Sequence, residues 1–122
     1  MCEGCPKILQ SHQIQANYSR KKIILIAEQS EYDKLIGGDE IIDFDNGIIL
    51  LISMGFRGSD AYSIELVTVQ NYDYAYNRVH IQYKVRCIGN DIATNPFQII
   101  WIESRKDILI SEEVVREDCE IN

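Results

Sequence analysis

The chain has 122 residues, of which 46% are hydrophobic and 25% charged, with a formal net charge of −7. That length fits one domain burying roughly two-thirds of its unfolded surface, and the mix of aliphatic and charged side chains belongs to a soluble folded protein rather than a disordered one. No apolar run approaches the ~18 residues of a membrane span, no leader-like segment opens the chain, and the acidic excess disfavours a phosphate backbone as partner. The expectation is a cytoplasmic protein with no nucleic-acid partner and no membrane partner.

Residues 1–22 read as an N-terminal arm in which Ile8, Leu9 and Ile14 could dock on the domain or on a neighbouring subunit; the basic triplet Arg20, Lys21 and Lys22 reads as a solvated strand entrance. Cys2 and Cys5 form a C-x-x-C. They are the weak candidates for a metal, because zinc needs four ligands. Cys87 and Cys119 supply no second C-x-x-C, and His12 and His80 are isolated. No metal and no cofactor are expected, and in a cytoplasmic protein the thiols read as reduced.

Residues 23–27 form a short apolar strand candidate. Ser30 is placed to cap a helix over residues 30–36, with Glu31 and Asp33 in its first turn, Tyr32, Leu35 and Ile36 on one side, and Gly37 and Gly38 as its stop. The carboxylates Asp39, Glu40, Asp43 and Asp45 lack the ligand order of a calcium loop. Asn46 and Gly47 favour a turn with positive φ.

Residues 48–54 are all apolar or small, too short a run for a comfortable helix and too uniform for a one-sided strand, so both faces should be covered. With residues 62–69 they read as a central hairpin closed by a loop in which Gly55 and Gly58 relieve the backbone. The apolar parity changes between Ile64/Leu66 and Val67/Val69, the mark of a bulge.

Tyr72, Tyr74 and Tyr76 alternate in the next turn. They form either an exposed binding stripe or the rim of the core. Val79, Ile81, Tyr83 and Val85 alternate with polar residues as a half-buried strand, which puts His80 on the polar side without a catalytic companion. Residues 97–102 are apolar on both faces, residues 108–110 are a short edge strand, and residues 111–122 are an acidic tail fading into solvent. The fold class is mainly β (β-rich α+β): a small antiparallel sandwich or barrel-like domain over residues 23–110, with one short helix near residues 30–36.

The helix at 30–36, Ile42-Asp43-Phe44, the strand ending Met54-Gly55, Gly58 to Tyr62 followed by Ser63-Ile64-Glu65, and Asn95-Pro96-Phe97 come in an order that resembles the C-terminal domain family of PrcB, a protease-complex-associated domain. The resemblance spans residues 23–110. In place of that family's threonine-glycine-glycine-tyrosine-like turn the chain has Gly58-Ser59-Asp60-Ala61-Tyr62. The same turn loosely resembles the inhibitory loop of chagasin-type cysteine-protease inhibitors. The resemblance implies a non-catalytic interaction domain that associates with or inhibits a protease.

The chain shows no nucleophile, base and metal set of an enzyme. The first reading is therefore a non-catalytic protein-binding or regulatory domain that presents residues 55–61 and 89–96 to an unidentified protein partner. Its candidate contacts are Phe56, Arg57, Ser59, Asp60 and Tyr62, together with Tyr72, Tyr74 and Tyr76. The alternative is a homo-oligomer that binds or sequesters a nucleotide-like small ligand on those tyrosines or on Trp101; a further one is a zinc protein using Cys2 and Cys5.

Overall fold

In the computed structural model, which describes residues 6–8, 19–37 and 40–119, the chain forms β1 (Pro6–Ile8), β2 (Lys22–Ile26), α1 (Gln29–Leu35), β3 (Ile48–Ser53), β4 (Tyr62–Asn71), β5 (Tyr76–Val85), β6 (Phe97–Ile102) and β7 (Asp107–Arg116). One sheet has the order β1-β6-β3-β2 and the other β4-β5-β7. They do not close into a barrel. The fold is a mainly β sandwich with one short helix.

Every residue of β3 is buried, for a reason visible in its sequence. Ile48, Leu50 and Ile52 face the second sheet and meet Val67, Val79, Ile81 and Tyr83. Ile49 and Leu51 face the other way, into a cluster with Ile26, Tyr32, Ile36 and Ile99 that α1 covers. Each such aliphatic side chain contributes about 1.5–3 kcal/mol on burial. Residues 97–102 meet the same demand from the next position in the sheet, with Ile99, Ile100 and Ile102 buried.

The helix runs one residue earlier than the expected 30–36, and its cap lies two residues before Ser30. Glu28 occupies the N-cap and makes no side-chain cap bond, while Gly37 stops the helix at φ 84°. Among the described residues only Gly37 and Gly55 adopt positive φ, so Asn46 does not form the expected positive-φ turn; its N–H instead donates to the Asp43 carbonyl at 3.2 Å.

The expected central hairpin is not formed. β3 pairs with β2 and β6, whereas β4 pairs with β5, so residues 54–61 carry the chain from one sheet to the other. Gly55 allows this corner: its φ is +77°, and a Cβ there would lie 2.5 Å from the Arg20 backbone. Gly58 stands in open space and needs no such freedom. A bulge is present in β4, but its register shift falls between Ile64 and Leu66, just before the Leu66–Val67 step at which the parity change places it.

The second sheet is mixed rather than antiparallel. After β5 the chain runs back through β6 in the first sheet, so β7 starts at the same end as β5 and pairs with it in parallel from Tyr76↔Asp107 to Val85↔Arg116. This also corrects the expected acidic tail, since residues 111–116 are strand. Glu112 accepts hydrogen bonds from Lys21 at 2.9 Å and from Tyr83 at 2.7 Å, and Glu113 accepts one from Gln82 at 2.8 Å. β1 extends the first sheet by pairing with β6, so part of the N-terminal arm docks by its backbone; Leu9 and Ile14 lie outside the described residues. Among the described residues, no helix is long and apolar enough to cross a membrane.

Candidate functional site

The sandwich corner at residues 54–61 meets the long connection between β5 and β6, and the two form one tied structure at the end of the molecule. Arg57 and Thr94 exchange backbone hydrogen bonds, both at 2.8 Å. Thr94 Oγ1 donates to the Ser59 carbonyl at 3.0 Å, and the Asp60 N–H donates to the Asn90 carbonyl at 3.2 Å. The Asp60 carboxylate accepts from the Asn90 N–H at 2.7 Å and its Nδ2 at 3.1 Å, while Arg86 Nη2 donates to the Asp60 carbonyl at 2.7 Å. These bonds from Asn90, with the nearby Arg86, hold the Asp60 carboxyl below the usual aspartate range. Gly89 makes the close approach possible, because a Cβ there would fall 2.5 Å from Ser59 Oγ and 2.7 Å from Ala61 Cβ.

A disulfide between Cys87 and Cys119 ties the end of β7 to this same connection. Cys87 and Cys119 are therefore not the reduced thiols expected from the sequence. Cys2 and Cys5 lie outside the described residues, and among those described no group of three or more His, Cys, Asp or Glu is placed to hold a metal.

Of the predicted contacts, Ser59 and Asp60 are engaged within the corner: Ser59 Oγ accepts from the Ala61 N–H at 3.2 Å, and Asp60 is the joint to Asn90. Tyr62 packs against the inter-sheet core under the Arg57 guanidinium, which sits 4.9 Å from the ring centroid. Phe56 remains open, 59% exposed, and the tied connection adds Ile88 at 85% and Ile92 at 54%. Ile88 and Ile92 were not singled out in the sequence. The available signal is two isolated isoleucines flanking the turn-forming Gly89-Asn90-Asp91.

Tyr72, Tyr74 and Tyr76 lie at the opposite end, since β4 separates the two places by ten residues, or about 30 Å of extended chain. Their turn is not extended. The N–H groups of Tyr72 and Asp73 both donate to the Tyr76 carbonyl at 3.1 Å, and Asp73 Oδ1 accepts from Ala75 and Tyr76, both at 2.8 Å. All three rings are exposed, Tyr74 the most and Tyr76 the least, and Arg78 stacks 5.1 Å from the Tyr72 ring centroid. Trp101 belongs to the helix-side cluster, edge-on to Phe44.

His80 is not isolated. Across the parallel pairing, Ser111 Oγ lies 2.8 Å from Nδ1 and Glu113 Oε1 3.5 Å from Nε2, beside a shallow cleft of about 230 Å³. The residues are 31 and 33 positions apart, too far for any local pattern to reveal. Ser111 sits in mid-strand, so the N–H groups around it point within the sheet plane and not toward an oxyanion above the hydroxyl.

No family model, curated protein or solved structure matches the chain.

Proposed function

We propose that this domain is a non-catalytic protein-binding module and that its contact surface is the tied loop end, centred on Phe56, Ile88 and Ile92. The observation that supports this is large exposed apolar side chains on two connections already cross-bonded to each other. Exposed apolar clusters mark interaction sites, and a surface ordered before binding loses less conformational entropy on association. The tyrosine turn is also exposed but lies at the far end of β4, away from the two cross-bonded connections. The resemblance to the PrcB C-terminal domain family makes a protease or its assembly the partner to try first, and the disulfide favours an oxidising compartment over the cytoplasmic one expected from the sequence.

The experiment is affinity capture with the wild-type chain and with Phe56→Ala/Ile92→Ala, judged only where circular dichroism confirms the fold. A partner lost by the double variant at least about tenfold supports the reading, since hot-spot truncations cost about 2 kcal/mol or more. Equal capture by both chains rejects it.

A further inference from the structure

A cleft of about 280 Å³ opens at the edge of the sandwich, beneath the corner. Its inner wall is Met54 and Tyr83, both buried, and its sides include Tyr62 and Val114. Three cations also line it: Lys21, Arg57 and Arg116. In a chain of net charge −7, this concentration of positive charge is a local reversal.

The three cations are not equivalent. Lys21 Nζ is bound by Glu112 at 2.9 and 3.0 Å and adds little free charge. Partial burial pushes the Glu112 carboxyl up, but hydrogen bonds from Tyr83 and Lys21 outweigh it and leave the group lowered and ionised. Arg116 has no ion-pair partner among the described residues. Arg57 is held in place by its backbone pairing with Thr94 and by the Tyr62 ring, yet its Nε is buried without a hydrogen-bond partner. A buried, unpaired guanidinium N–H is costly, and almost all buried donors are satisfied in folded proteins.

We propose that the cleft binds a small organic carboxylate with an apolar body. The Nε edge of a guanidinium presents two parallel N–H donors, Nε and one Nη, which match the two oxygens of a carboxylate. The buried Nε has no surface of its own, so the carboxylate reaches it as the Arg57 side chain turns that edge into the cleft, a movement offset by satisfying the donor. Arg116 adds a second charge from the rim, and Val114, Met54 and Tyr62 cover the apolar body. The volume lies just below the usual range for drug-sized ligands, about 300–1,000 Å³, so the occupant is a single aromatic ring or a short aliphatic chain and not a mononucleotide. The cleft shares Arg57 and Tyr62 with the corner, but Phe56, Ile88 and Ile92, on which the proposed contact surface is centred, do not line it.

The test uses the full chain labelled with nitrogen-15. Arginine Nε–H signals are followed during titration with benzoate and with hexanoate, and with benzamide and inorganic phosphate as controls. The expected result is a saturable downfield shift of the Arg57 Nε–H with at least one of the two carboxylates, little response to either control, and affinity weakened about fivefold or more in Arg116→Gln, the scale of one lost charge-assisted interaction. Arg116 is exposed, so this variant should keep the fold; Arg57→Lys, which keeps the charge but removes the Nε donor, should abolish the signal's cause and lower affinity further. The proposal is overturned if neither carboxylate shifts the Arg57 signal, if benzamide or phosphate shifts it as strongly, or if Arg116→Gln binds as tightly as the wild type.

Discussion

Asp60 and Gly89 carry the corner between them, one by accepting hydrogen bonds and the other by having no side chain. Asp60 is held in its charged form by the two donors of Asn90 and by Arg86, so its folded pKa is lower than its unfolded one. A depressed carboxylate pKa gives stability that is present above the unfolded value, about 3.9, and is lost as pH falls through the folded one. Glu112 and Glu113 are lowered too, so acid should weaken the wild type through several groups. Asp60→Asn should therefore lower Tm at neutral pH yet lose less Tm than the wild type on acidification from about pH 6 to pH 3; parallel pH profiles would show that Asp60 does not titrate with folding. Gly89→Ala places a methyl group against Ser59 and Ala61 and should cost about 1–3 kcal/mol in urea unfolding, the range for an overpacked contact. Sequence reading sees Gly89 as a turn former. It cannot see that the residues it must avoid lie about thirty positions earlier.

At the scale of the element, β7 departs most from the sequence pattern. Its inward and outward positions are both partly exposed, so no alternation announces a strand, and Glu112, Glu113 and Glu117 resemble a solvated tail. What orders it is non-local: the parallel pairing with β5, the bonds from Lys21, Tyr83 and Gln82 to its glutamates, and the disulfide from Cys119 to Cys87. Bridging residues 32 positions apart should add about 3.7 kcal/mol by restricting the unfolded chain. Cys119→Ser should lower the unfolding free energy by that amount, and a reducing agent should bring the wild type down to the variant. If the reductant leaves the wild type unchanged while Cys119→Ser is destabilised, the bridge is not the source of the loss. β3 and β5 were legible by contrast, because continuous apolarity and strict alternation are local consequences of being covered on two faces or on one.

Across the whole molecule, apolar periodicity reports how many faces of a strand are covered but not which sheet covers them. That is why residues 48–54 and 62–69 read as partners, although Gly55 turns the chain between layers. The same limit applies to the site. The two loops, 55–61 and 89–96, were legible as candidates, whereas their cross-bonding and the exposed Ile88 and Ile92 follow from the layer crossing. The predicted contacts separate into a loop end and a tyrosine end, so a single partner of ordinary interface size is expected to cover one of them, not both. The measurement that decides between them is hydrogen–deuterium exchange of the chain with and without its captured partner. Slowed exchange is expected in residues 55–61 and 86–95, with residues 72–76 unchanged; protection confined to 72–76, with the loop end exchanging as in the free protein, would place the contact at the tyrosine end instead.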